Sequence, residues 1–346
     1  MTTLQTNQTT TRAENIRQIL SNLGEPEYRQ NQVFDAIYRQ GVKSYADITN
    51  LSKNLRETLT TELGELLTLK PISQTKDQFT QKVLFETLDG NKLEAVKINY
   101  KDHTTLCVSS QSGCALGCKF CATGALGFHK NLTVDELCDQ LLYFIQSGEK
   151  IDNLVFMGMG EPFANPNLFD VLHMLTSAQY FGIGQRKISV STVGIIPGIQ
   201  NLAKEFPQIN LAFSLHSPFA DQRCQLMPVT KAYPIDKVFN ALNEYIAITN
   251  RKVFIAYLLI NGVTDTPEHA KALAHLLKRQ GPKAYLYHVN LIKFHESNVV
   301  KGFKQPNEMG VEKFGELLRN RGIDYTVRQS FGEEIDAACG QLTAKG

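Results

Sequence analysis

Seven cysteines are spread through 346 residues, and three of them crowd into one short stretch, Cys114-Ala115-Leu116-Gly117-Cys118-Lys119-Phe120-Cys121. Thiolates are the protein ligands of iron–sulfur clusters, and a 4Fe–4S cluster ordinarily takes four of them. The spacing C-x3-C-x2-C supplies three, which leaves one iron open to a chelating small molecule. Gly113, Gly117 and Gly124 let the backbone wrap closely around such a group. A structural zinc site would need a fourth ligand, and no C-x2-C or H-x3-H partner stands nearby. Chance spacing of core cysteines is the other competing reading, and the flanking glycines argue against it. Cys107 and Cys339 lie outside the motif, the first on a predicted strand and the second in Ala338-Cys339-Gly340. Taken singly, such cysteines are more often core residues, the reading kept for Cys138 and Cys224.

The elements that must position these thiols follow from hydrophobic periodicity. From Arg12 to about Leu69 the apolar spacing is helical, as in Ile16, Leu20, Leu23 and again in Leu51, Leu55, Leu59. Lys82–Thr87 and Lys92–Asn99 flank Leu88-Asp89-Gly90-Asn91, which predicts a hairpin. From Thr104 strands and helices alternate. Predicted strands are Leu106–Ser109, Asn153–Met157, Lys187–Ser191, Asn210–Leu215, Lys252–Ile260, Tyr285–Ile292 and Asp324–Arg328. Helices are predicted at Val134–Ser147 (with Thr133 and Glu136 as a capping box), Leu168–Phe181, Ile235–Thr249, Pro267–Arg279 and Val311–Arg321. Alternation of this kind implies an α/β fold on a parallel sheet, open or closed into a partial barrel. The expected organisation is a disordered tail (1–11), a small N-terminal helical domain (12–72), a β-hairpin extension (73–103) and the catalytic core (104–346).

Bulk composition narrows the class. Net charge is only +2, with 42% hydrophobic and 20% charged residues, so the totals announce neither a membrane protein nor a general nucleic-acid binder. The longest apolar runs are strand-length, such as Val253–Ile260, and the N-terminus carries no apolar signal core. A cytoplasmic location is expected. There thiols stay reduced, so the cysteines are ligands, nucleophiles or core residues rather than a disulfide framework.

The motif after the first strand of a β/α series resembles the radical SAM superfamily, whose usual scaffold is a partial (β/α)6 barrel. That resemblance implies that Cys114, Cys118 and Cys121 hold a 4Fe–4S cluster, that S-adenosylmethionine binds its open iron, and that reductive cleavage gives a 5′-deoxyadenosyl radical. Phe120 would pack near the adenine. Further stretches narrow the resemblance: Cys107-Val108-Ser109-Ser110-Gln111, Phe156-Met157-Gly158-Met159-Gly160-Glu161-Pro162, Ser189-Val190-Ser191-Thr192, Phe213-Ser214-Leu215-His216-Ser217 and Ile335-Asp336-Ala337-Ala338-Cys339-Gly340-Gln341-Leu342. Together they are similar to the RlmN/Cfr family of adenosine methyltransferases, from about Glu25 to Leu342. That family modifies the adenosine at position 2503 of 23S ribosomal RNA.

Residue roles are what the resemblance implies. Cys339 accepts a methyl group, Cys107 resolves the covalent RNA adduct by forming a disulfide, and Glu94 accepts a proton. Gly160, Glu161, Ser191, Ser214, Leu215 and His216 bind the cofactor, two molecules of which are used per turnover. Where the family usually has Asn, often followed by Pro, this chain has His295-Glu296. His295 is therefore the expected cofactor contact there, with Asn290 as the neighbouring alternative. The implied partners are 23S ribosomal RNA before ribosome assembly and an electron donor such as flavodoxin. RNA contact is expected from the helical domain, through Arg12, Arg17, Arg29, Arg39, Lys43, Lys53 and Arg56, together with the rim of the barrel. Scattered charge of this kind is more commonly a solvated surface. Ser214–Phe219, Ile255-Ala256-Tyr257 and Leu286–Leu291 resemble the C8-methylating, antibiotic-resistance branch of the family. Gly160-Glu161-Pro162 and Cys114–Gly117 resemble the C2 branch, for which transfer RNA is a further possible substrate. A non-catalytic iron–sulfur RNA-binding protein is the reading from another class.

Overall fold

Short apolar strands and amphipathic helices that alternate along a chain can bury both sheet faces only by stacking the helices against them. The computed structural model describes residues 10–344, so Met1–Thr9 of the expected tail lie outside the described residues. Thr11 departs from that expectation. Its hydroxyl accepts from the Glu14 N–H, and the Glu14 carboxylate accepts from the Thr11 N–H at 2.7 Å. This capping box starts helix Arg12–Asn22, and such a cap contributes about 1 kcal/mol.

Strands β1 (Leu69–Lys76), β2 (Thr80–Thr87) and β3 (Lys92–Asn99) make an antiparallel meander, and β4 (Thr104–Val108) pairs antiparallel with β3. β5 (Gln111–Gly113) and β6 (Phe128–Asn131) form a separate two-stranded ribbon. From β4 onward every main-sheet pairing is parallel, through β7 (Asn153–Phe156), β8 (Ile188–Thr192), β9 (Asn210–Ser214), β10 (Val253–Leu259), β11 (Tyr287–Lys293) and β12 (Tyr325–Val327). The sheet order is β1-β2-β3-β4-β7-β8-β9-β10-β11-β12. The expected six-stranded parallel barrel thus carries a seventh, three-residue parallel strand and runs directly into the meander.

Two predictions fail for visible reasons. β1 begins at Leu69, inside the stretch assigned to the helical domain, because it is an edge strand whose residues after Leu69 are all exposed. It has no apolar alternation to read, and Pro71 is tolerated beside the bulge at Pro71/Ser73 because an edge leaves N–H groups unpaired. The helix from Leu168 stops at Thr176 rather than Phe181. Tyr180 and Phe181 instead pack edge-on against Tyr38 of the N-terminal helices, at 5.4 and 5.0 Å between ring centroids. Helices Ile196–Glu205 and Ala220–Leu226 were not predicted at all.

The alternation along each parallel strand divides the residues by role. Leu106 and Val108 of β4, Val190 of β8 and Val289 and Leu291 of β11 are buried in the main core. Cys107, Ser191, Ala212, Ser214, Ala256 and Asn290 point the other way and line a cavity inside the sheet's curve. Small and polar side chains on that face leave room for a ligand.

The N-terminal helices are bolted to this core. Buried Arg12 meets buried Asp139 of helix Val134–Gln146 at 2.6 Å, and the other Asp139 oxygen accepts from the Thr68 N–H and hydroxyl at 2.6 and 2.8 Å. Of the remaining expected RNA-binding cations, Lys43 is exposed and makes no hydrogen bond or ion pair among the described residues, whereas the others have partners within the chain. Arg17 lies over the rings of Phe34 and Tyr180, Arg39 donates to the carbonyls of Ala178 and Tyr180, and Arg56 donates to Ala46. Arg29 pairs with Glu25 and Lys53 with Glu57. Arg12, Arg17, Arg39 and Arg56 are thus tied to packing, while Lys43 and Lys53 stand in solvent.

Candidate active site

The cluster loop is shaped by its ends. β5 delivers the chain to Gly113, whose φ of +72° belongs to the left-handed region. A Cβ there would stand 2.0 Å from the Gly127 carbonyl oxygen, so only glycine fits. That carbonyl accepts the Cys114 N–H at 2.7 Å, and the Cys121 N–H returns to the Cys118 carbonyl. The short helix Ala122–Ala125 then leads away. All three sulfurs face one cavity of about 250 Å³. Burial pushes each thiol up, Cys114 to about 11, and neighbouring cysteines push Cys114, Cys118 and Cys121 further in the same direction. Among the described residues no group of three or more His, Cys, Asp or Glu is arranged around a single ion. A cube-shaped cluster takes each thiolate at a different iron, so its ligands stand further apart than those of one ion. The donor set, three mutually close thiols on a glycine-bounded loop, fits a 4Fe–4S cluster.

Cys107 and Cys339 line the same cavity. Cys107, on β4, is paired between Val96 of β3 and Val155 of β7. Burial, then the proximity of Cys339, pushes its thiol up to about 12. Cys339 is exposed, on a C-terminal segment that crosses the inner face of the sheet. All seven cysteines are free thiols in this structure, so Cys107 and Cys339 face the cavity unbonded.

The remaining cofactor candidates line the wall unequally. Gly160 has a φ of +92°, and a Cβ there would meet the Gln111 side chain at 2.5 Å. This turn aims Glu161 inward, where burial raises its carboxyl to about 7 against the N–H groups of Phe163 and Val193. Such a carboxylate lacks a cation, and an ammonium group would supply one. The Ser191 and Ser214 hydroxyls stand 3.4 Å apart at the ends of β8 and β9. Burial lowers His216 to about 3, so its ring is neutral. Its Nδ1 accepts from the Leu258 N–H at 3.1 Å, which leaves Nε2–H as a donor. Phe120 meets that ring edge-on at 5.0 Å.

Three expected contacts differ. Leu215 is fully buried in the core and does not line the cavity. His295 does line it; its Nε2 lies 2.9 Å from the Ser330 hydroxyl, whereas buried Nδ1, 3.4 Å from Glu333, has no hydrogen-bond partner among the described residues. Asn290 also lines the wall and, among the described residues, makes no side-chain hydrogen bond, which leaves its amide open to a ligand. Glu94 does not line this cavity; it lies one pleat along β3 from Val96, behind the C-terminal segment.

Sequence reasoning missed Arg223. Its fully buried guanidinium donates to the carbonyls of Leu215, Val193 and Ser214 and to the Thr230 hydroxyl, all at 2.7 to 3.0 Å. It therefore ties together the strand ends that carry Ser214 and His216. Arg328, Tyr100 and Phe331 at the cavity wall were missed as well.

Comparison with known proteins bears on this arrangement. The family model described as the radical SAM superfamily matches residues 108–277, and that of the ribosomal RNA large subunit methyltransferase N-terminal domain matches residues 6–63. The chain is 47% identical over 337 residues to the ribosomal RNA large subunit methyltransferase Cfr of Clostridium botulinum, covering 97% of this chain and 98% of that one. It is 45% identical over 333 residues to the protein of that name from Lachnoclostridium phytofermentans, covering 95% and 96%. A crystal structure of a radical SAM methyltransferase from Sphaerobacter thermophilus superposes with a TM-score of 0.90 at 41% identity, covering 97% of this chain and 98% of that one.

Proposed function

The chain belongs to the family of Cfr-type large-subunit ribosomal RNA methyltransferases within the radical SAM superfamily, and on that premise we propose that it methylates C8 of the adenosine at position 2503 of 23S ribosomal RNA. The observation that carries the reading is the meeting of five cysteines at one cavity, three on the cluster loop and two, Cys107 and Cys339, from a strand and from the C-terminal segment. The cofactors are those of the family, a 4Fe–4S cluster and S-adenosylmethionine.

The chemistry explains the two extra thiols. C2 and C8 of adenine are electron-poor amidine carbons and do not attack a sulfonium methyl, but a carbon radical can add to them. Cys114, Cys118 and Cys121 would hold the 4Fe–4S cluster, which when bound would supply the electron for reductive cleavage of S-adenosylmethionine. Glu161 and the open amide of Asn290 are placed to hold the cofactor's polar groups. Cys339 first loses its proton and takes a methyl from one S-adenosylmethionine as a thioether. Removal of hydrogen from that methyl leaves a carbon radical on Cys339, which adds to adenine. Once the adduct radical has given back one electron and lost the C8 proton, the Cys107 thiolate attacks the Cys339 sulfur. The carbon–sulfur bond breaks, a Cys107–Cys339 disulfide forms, and the displaced carbon takes up a proton as methyl. A reductant then restores both thiols; a flavodoxin-type donor fits the single-electron step.

The choice of C8 rests on the stretches around Ser214–Phe219 and Leu286–Leu291 and on the name shared by the relatives. A methyl at C8 would make the host resistant to antibiotics that bind this part of the ribosome. Since most arginines of the N-terminal helices are engaged within the chain, RNA contact is assigned chiefly to the cavity rim. The reaction belongs in the cytoplasm, where unassembled ribosomal RNA is found. Mass spectrometry of RNA from anaerobic reactions of the reconstituted protein tests the assignment. The expected product is 8-methyladenosine with 5′-deoxyadenosine; 2-methyladenosine alone would move the chain to the C2 branch.

A further inference from the structure

Cys339 lies in a loop, residues 337–342, whose two feet converge on one ion pair of the meander. At the first foot the Lys82 ammonium donates to the Asp336 carbonyl at 3.2 Å. At the second, one oxygen of Glu94 accepts from the N–H groups of Thr343 and Ala344 at 2.9 and 3.0 Å. The other Glu94 oxygen meets Lys82 at 3.1 Å, as an ion pair without hydrogen-bond alignment. Glu94 is 0% exposed, so its two N–H partners and the ammonium complete its surroundings. Asp336 holds a left-handed backbone at φ +51°, a conformation that persists in a non-glycine residue only where neighbours enforce it.

Between the feet, the loop is registered on the cluster side. The Gly340 carbonyl accepts from the Ala122 N–H and the Leu342 carbonyl from the Thr123 hydroxyl, both at 2.8 Å. Ala337, Ala338 and Leu342 are buried, whereas Cys339 between them is exposed. The segment divides two spaces. Ala337–Gly340 face the thiol cavity, and Glu334–Asp336, Gln341 and Thr343 face a second cavity with Lys82 and Glu94.

We propose that Glu94 is a positioning residue whose carboxylate, with Lys82, latches the loop that carries Cys339 and so sets where that thiol meets the cofactor and Cys107. This deepens the methyl-carrier reading of Cys339 and rests on it. The latch uses Glu94 as an acceptor of two backbone N–H groups, so its oxygen matters and its basicity does not. Removing a buried acceptor of this kind orphans both donors and leaves Lys82 unpaired.

Three variants test it: Glu94→Ala, Glu94→Gln, and removal of residues 343–346, which takes away the donors while leaving the sheet intact. Hydrogen exchange of residues 337–344 is followed without added cofactor, and methylation of Cys339 by mass spectrometry of the reconstituted protein. Glu94→Ala and the truncation should both speed exchange in that segment. Both should slow methylation of Cys339 by about tenfold or more, the equivalent of one charged hydrogen bond. Glu94→Gln keeps an acceptor oxygen and should recover most of the loss. Native exchange and native Cys339 methylation in both Glu94→Ala and the truncation would overturn the latch, as would Glu94→Gln behaving like Glu94→Ala. Failure of the parent protein to methylate Cys339 would instead overturn the carrier reading, with the exchange result still deciding whether the latch exists.

Discussion

Two loops bring sulfur to the same cavity, and they are held in opposite ways. The cluster loop is fixed from within by its own backbone, through Gly113 against Gly127 and Cys121 against Cys118. The loop of Cys339 is fixed at its feet by side chains from distant strands and beside the thiol by Ala122 and Thr123, leaving Cys339 itself exposed. A ligand loop serves best when every sulfur stays put. On the proposed reading a carrier thiol must meet a sulfonium methyl, then an adenine, then a second thiol, so it gains from a held backbone and an accessible sulfur.

That contrast can be broken most severely at the sulfurs. Cys118→Ala should abolish both bound iron and 5′-deoxyadenosine formation. Cys339→Ala should keep the iron and lose all methylated RNA. Equal iron loss in the two variants would mean that the loops are one structural unit.

A second comparison sets the glycines against each other. Gly113→Ala meets a carbonyl at 2.0 Å and a positive φ, so cluster content should fall steeply. Gly340→Ala has a φ of +83° but nothing nearer than 3.7 Å. It should cost about 1–2 kcal/mol from the backbone alone and keep its iron. Iron titration of both purified variants after anaerobic reconstitution reads the difference; matching losses would refute the contrast.

The smallest effect concerns release. Cys107→Ala should accumulate a protein–RNA adduct, seen as a shifted band in denaturing gels. In the parent protein, burial that pushes the Cys107 thiol up to about 12 keeps it protonated near neutrality. The reactive thiolate then grows with pH, so release from a preformed adduct should quicken about tenfold per pH unit from about 7 to 9. A flat profile would show that deprotonation of Cys107 does not limit the step.

The cluster motif was readable because ligands of one cluster sit within a few residues and bring glycines with them. Most parallel strands were readable because buried apolar residues recur at every second position along them. β1 was not, since an edge strand has one neighbour and no buried face to alternate. Cys107 and Cys339 needed the family resemblance, because a thiol at a strand middle and another near the terminus carry no mutual signal until the chain folds. Arg223 was invisible for a related reason. A buried arginine is recognised by the carbonyls it collects, and those come from Val193, Ser214 and Leu215 on other elements. The cations of the N-terminal helices misled in the same way, since their partners at Asp139, Tyr180 and Ala46 are set by packing.

The buried contact of Arg12 with Asp139 bears on how such chains diversify. Asp139 also grips Thr68, the residue just before β1, so a single carboxylate joins the first helix, the start of the meander and a core helix. Recombination between relatives that exchanged only the first sixty or so residues would have to bring a matching arginine, or strand a charge in the interior. The front of the molecule is thus inherited together with its middle, as a keystone is with its arch.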